Sequence, residues 1–184
     1  MRYDGGCETA CVDGLPGWES EERVLDSGGF SSRQRVLVDA PAVEASEAGA
    51  RRLGTSYWRA VERVTRGAVR ARWRGEGGRL KLLGALTLLA FGPPELAVGE
   101  GRVGCRYPIR GGLLALRPGG SVTLAQHDTG FAYELSVSVE EYVPRLAARI
   151  GAPRWTGALY AKAQSPFHVA VSRRWFRSLG RWRP

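Results

Sequence analysis

The sequence predicts an α+β fold: a curved antiparallel sheet of about six to seven strands packed on a long C-terminal helix, with a helical segment after the first strand. Three observations predict it. Most of the central chain alternates apolar and polar residues with a period of two. A helical period follows the first apolar run, and a second occupies the last thirty residues. Strands with one apolar and one polar face cover one side with helices and leave the other to solvent.

The first strand reads at Arg35-Val-Leu-Val-Asp39. Pro41 then suits the first turn of a helix that Asp39 or a neighbour caps. Ala50, Leu53, Tyr57, Val61 and Val64 recur at spacings of three and four, one face of a helix that ends near Gly67. Gly49 and Gly54 weaken that helix and suggest a break into two. Val69, Ala71 and Trp73 next alternate with Arg70, Arg72 and Arg74. Arg79–Leu83 and Leu86–Phe91 form two strands around Gly84-Ala85, and Gly92-Pro93-Pro94 ends the stretch.

Val103, Cys105, Tyr107 and Ile109 alternate with Arg102, Arg106 and Arg110. Leu113–Leu116 and Val122–Gln126 flank an Arg-Pro-Gly-Gly turn. Phe131, Tyr133, Leu135, Val137 and Val139 make the longest alternation, opposite Glu134 and Glu140. From Trp155 the helical stripe runs through Leu159, Ala163, Phe167, Val171, Trp175 and Leu179. Pro166 inside it either kinks one helix or starts a second, with Ser165 as cap.

The chain has 184 residues, a length for one domain or one domain with a tail. Residues 1–33 carry three basic and seven acidic residues, show no sustained period, and read as a poorly ordered acidic extension. Residues 34–184 then form the single domain. Its last segment, 143–184, carries nine basic residues and no acid, matching the net charge of +9 for the whole chain. Only Lys81 and Lys162 are lysines; the other 25 basic residues are arginine, a usage typical of GC-rich bacterial coding and also suited to anion recognition.

The inventory for chemistry is thin. Cys7, Cys11 and Cys105 are an odd set, and the C-x3-C pair lacks further ligands for a closed zinc site. The two histidines, His127 and His168, read as a turn residue and a helix-boundary residue. No G-x-S-x-G, Walker or G-x-G-x-x-G pattern occurs, so no catalytic residue, metal or cofactor is assigned, and whether the chain is an enzyme stays open. No secretory signal is seen, and the longest apolar run, Leu82–Phe91, is about half a membrane span. A cytoplasmic protein is the expectation.

The element order resembles the helix-grip superfamily, which includes START domains, birch-pollen-allergen-like proteins and polyketide cyclases. The likeness covers about residues 34–180 and rests on order alone; the tryptophan such proteins often carry soon after the first strand is not clearly in place, although Tyr57-Trp58 comes later. It implies a seven-stranded sheet around the last helix, two short helices after the first strand, and a cavity for a lipid, polyketide or other apolar molecule. The inward candidates are Trp73, Cys105, Tyr107, Tyr133 and Leu135, facing Trp155 and Leu159. Whether these fill the sheet or line a hollow is not decided by sequence.

The alternative partner is anionic. Arg173, Arg174, Trp175, Arg177, Arg181, Trp182 and Arg183 mix cations and aromatics, a pattern that can lie on an acidic membrane surface or, less favourably, stack on nucleic acid. The same residues also suit a docked helix with a basic end. The arginine stripes of the sheet read either as a face paired across strands with Glu134 and Glu140, or as a basic platform.

Overall fold

A computed structural model describes residues 15, 17–25, 29–75, 77–145 and 155–179, and their side chains except at 24 and 155–166. The α+β expectation holds. Nine strands form one antiparallel sheet: β1 (Glu19–Val24), β2 (Phe30–Val38), β3 (Val69–Arg74), β4 (Gly77–Leu82), β5 (Leu86–Phe91), β6 (Glu95–Gly99), β7 (Arg102–Gly111), β8 (Ser121–Asp128) and β9 (Tyr133–Tyr142). The helices are α1 (Glu47–Val64) and α2 (Trp155–Leu179). The sheet order is β1-β2-β9-β8-β7-β5-β4-β3, with β6 also paired to β7.

Two strands beyond the expected number have polar or interrupted sequences. β1, Glu-Ser-Glu-Glu-Arg-Val, has no apolar alternation because it is an edge strand. It pairs along its whole length with β2, and β2 itself begins at Phe30. Both strands therefore reach into the stretch expected to be a loose extension, and Leu15 is part of the core. β6 follows Pro93-Pro94, where the sequence reads as a stop. It covers β7 from Arg102 to Arg106, and β5 takes over from Ile109. Pro108 sits where β7 changes partner, a place in a sheet that tolerates proline.

Leu113–Leu116 is not a strand. The Leu113 and Leu114 N–H groups instead bond to the Thr87 and Leu88 carbonyls of β5, and Ala115 bridges Pro144. Phe131 precedes β9 and is fully exposed.

α1 is one helix, and it starts later than Pro41 suggests. Ser46 is its cap, accepting from the Gly49 N–H at 3.1 Å. Its glycines mark close approaches and not a break. A Cβ at Gly49 would lie 2.0 Å from the Glu44 carbonyl oxygen, and one at Gly54 1.9 Å from the Tyr107 hydroxyl. α2 continues through Pro166 as a single helix.

The inner face is apolar. Val36, Leu124, Leu135 and Val137 are fully buried at the centre of the sheet, as are Val171, Trp175 and Phe176 of α2. Trp175 meets Tyr57 of α1 edge-on at 5.8 Å and donates its indole N–H to the Ser56 hydroxyl at 2.9 Å. Gln126 on β8 ties down the chain before α1. Its Oε1 accepts from the Ala42 and Val43 N–H groups at 2.7 and 3.0 Å, and its Nε2 donates to the Val43 carbonyl at 2.9 Å.

Candidate functional site: an apolar cavity between sheet and helices

Where the sheet reaches β3–β5, the inner face is not filled solidly. A cavity of about 290 Å³ lies there. α1 supplies Tyr57, Trp58 and Val61; β3 to β5 supply Val69, Leu80, Leu88, Leu89 and Phe91. Ile109, Val122, Val139 and Tyr142 close it from the central strands, with Leu114 between them. Phe167 and His168 of α2 stand at its wall. The volume is near the lower end of small-molecule sites.

The walls offer few polar atoms. The Tyr142 hydroxyl donates to the Leu114 carbonyl at 2.7 Å. Burial pushes the Tyr57 phenol well above its ordinary range, so it stays protonated. Burial likewise pushes the His168 imidazole down to about 4, so it is neutral at physiological pH. The Trp58 indole nitrogen is buried and lies beside the Tyr107 hydroxyl, toward which its N–H is directed.

Trp58 is the shared wall between this cavity and a second, more open groove of about 420 Å³. Four rings meet there: Trp58 lies 5.1 Å from Phe91, 5.2 Å from Tyr107 and 6.0 Å from Trp73. Gly78 lets Trp73 fold across β4, since a Cβ there would sit 2.1 Å from its ring. Trp73, Cys105 and Tyr107, three of the residues expected inward, line this groove with Arg51, Arg59 and Glu62 of α1 at its rim. Burial raises both the Cys105 thiol and the Tyr107 phenol. Neither is poised as an anion for nucleophilic or base chemistry.

The other expected residues are dispersed. Leu135 is packed in the solid centre. Tyr133 stands at the far end of β9, where the Asp128 charge raises its phenol. Trp155 and Leu159 lie in the first turns of α2, but their side chains are outside the described residues. Sequence reading passed over Trp58 because it sits beside the main helical stripe. The adjacent bulky pair Tyr57-Trp58 was the available signal.

The C-terminal cation and aromatic set also separates. Trp175 is completely buried and belongs to the core, because the helix stripe that carries it docks against α1; it cannot be part of a surface. Arg173 lies over the Trp18 ring at 5.3 Å. Arg174 and Arg177 are exposed, and Arg181, Trp182 and Arg183, like Cys7 and Cys11, lie outside the described residues. Among the described residues, no helix is long and apolar enough to cross a membrane.

No protein-family model matches the sequence, and no curated protein matches it. Among solved structures, the crystal structure of CalU16 from Micromonospora echinospora aligns over 88% of this chain and 94% of its own, at 18% identity and a TM-score of 0.34. The solution structure of CalU16 gives 14% identity and a TM-score of 0.37, over 86% of this chain and 71% of its own. DynU16, a protein of the dynemicin biosynthetic locus, aligns over 77% of this chain and 45% of its own, at 18% identity and a TM-score of 0.35. The chain is similar to these proteins in part, and its sheet order and register stand independently of them.

Proposed function

We propose that this protein binds an apolar or amphipathic small molecule, lipid-like or polyketide-like, in the cavity between the sheet, α1 and α2. The observation that carries the reading is the cavity itself: about 290 Å³ of space walled by aliphatic and aromatic side chains. Apolar pockets with a few polar groups are common ligand sites. The helix-grip resemblance leads to the same class of ligand.

The other reading, contact with an anionic surface through the C-terminus, lacks a comparable observation. Its central aromatic, Trp175, is in the core.

Native mass spectrometry of the purified protein, together with titration of an environment-sensitive apolar dye, tests the proposal. Val139→Trp fills the space from the sheet side. The variant should fold, as judged by its circular dichroism and Tm, and bind dye at least about tenfold more weakly. A folded Val139→Trp protein that binds dye like wild type would sink the proposal.

A further inference from the structure

The outer face of β3 and β4 concentrates cations, with no acid on it among the described residues. Register places Arg70 opposite Lys81 and Arg72 opposite Arg79. Like charges directly across an antiparallel pair are destabilising. With Arg74 these residues line a groove of about 990 Å³, and no acidic residue among the described ones lines it. None of the five takes part in an ion pair among the described residues. Arg70 and Lys81 reach only backbone carbonyls, those of Gly67 and Gly84.

One end of this groove is apolar. The β4–β5 turn holds Leu83 and Gly84 at positive φ, which projects Leu83 into solvent. Leu83 is 79% exposed and borders the groove. Leu86, just past the turn, is 54% exposed but pairs with Leu82 and so belongs to the inner side of the sheet. Leu113 is 50% exposed and bonded through its N–H to the Thr87 carbonyl, so it joins them at the same end of the sheet.

We infer that this face docks on an anionic lipid bilayer, with Arg70, Arg72, Arg79 and Lys81 on the phosphate headgroups and Leu83 in the interfacial layer. The two chemistries select a bilayer over other polyanions. A negatively charged leaflet attracts each basic side chain held near it. Leu83 gains from leaving water in the acyl boundary, whereas a phosphodiester backbone offers it nothing. The inference does not depend on the cavity being a ligand site, because it uses the opposite face of the same strands.

Vesicle co-sedimentation tests it. The full-length protein should sediment with phosphatidylcholine vesicles that contain phosphatidylglycerol, not with phosphatidylcholine alone, and high salt should release it. Arg72→Glu/Arg79→Glu should lower binding by more than about tenfold, since each basic residue lost near a leaflet costs roughly fivefold. Leu83→Ser should lower it several-fold at unchanged charge. Arg174→Glu/Arg177→Glu on α2, an equal reversal elsewhere, should lose less. The inference is overturned if wild type ignores anionic vesicles, or if either groove variant binds as wild type. It is also overturned if the α2 reversal loses as much as the groove reversal, or if duplex DNA is retained with the same sensitivity to Arg72 and Arg79 while vesicles are not.

Discussion

The two halves of the sheet use arginine in opposite ways. On β1, β2 and β9, arginines meet carboxylates. Arg35 donates to Glu19 at 2.9 Å and to Glu134 at 3.0 Å, and Arg33 donates to Glu134 at 2.8 Å. Arg106 of β7 donates to Glu95 of β6 at 2.7 Å. On β3 and β4, arginine faces arginine or lysine. The inner faces differ too: Val36, Leu135 and Val137 of β2 and β9 are packed in the core, whereas the cavity lies under β3–β5 and reaches the ends of β8 and β9 at Val122, Val139 and Tyr142. One half of the sheet is organised for stability. The other gives up cross-strand charge pairing outside and dense packing inside, the two things a binding surface and a binding cavity require.

Mutations that break this contrast are ordered by expected size. Trp175→Ala removes the largest side chain of the solid half and leaves the Ser56 hydroxyl without its donor. It should destabilise by about 3–5 kcal/mol in urea unfolding. Gln126→Leu strands the Ala42 and Val43 N–H groups and the Val43 carbonyl; a loss of about 2–4 kcal/mol is expected, checked by the same measurement and by faster amide exchange at Val43. Arg35→Glu sets a third carboxylate against Glu19 and Glu134 and should cost about 1–2 kcal/mol. Arg79→Glu should have the opposite sign. It places an acid across from Arg72 and stabilises by about 0.2–1 kcal/mol, less at high salt. Destabilisation by Arg79→Glu would remove the distinction between the halves.

Acid separates the halves too. The His168 imidazole is held below its unfolded value by burial, so the unfolded chain binds the extra proton first. Stability from this site is complete above about pH 6.5 and is lost as pH falls toward 4. Glu134 acts lower. Burial alone would raise its carboxyl, but hydrogen bonds and charge from Arg35 and Arg33 outweigh it and hold the group below the usual range. Its contribution is present above the ordinary glutamate range and is lost below it. Urea unfolding between pH 7 and 5 should therefore show a slope that His168→Gln flattens and Glu134→Gln leaves in place.

Much of the fold was legible because a half-buried strand must alternate. Val103, Cys105, Tyr107 and Ile109 on β7, and Leu135, Val137 and Val139 on β9, are all buried as their spacing requires. β1 was not legible, because an edge strand held by its backbone ladder and by Arg35 has no need of an apolar stripe. Arg70, Arg72 and Arg74 were readable as a stripe. Their lack of acids was not, because it depends on which strand Glu134 joins. β9 lies beside β2 and β8, so Glu134 serves Arg33 and Arg35 and never reaches β3. The cavity was least legible, since it is set by what the side chains of separate elements leave unfilled. Trp73 turns toward the other rings as its strand face predicts, yet its position on the last strand of the sheet leaves it 39% exposed at a groove and not inside the cavity.

Ligand binding in the cavity is tested most directly by comparing apolar-dye binding by wild type, Val139→Trp and Leu135→Met. Leu135 is in the solid centre and Val139 lines the cavity. Val139→Trp should weaken binding by about tenfold or more, while Leu135→Met, a near-isosteric change, should leave it at the wild-type value. Equal binding by all three folded proteins would contradict it.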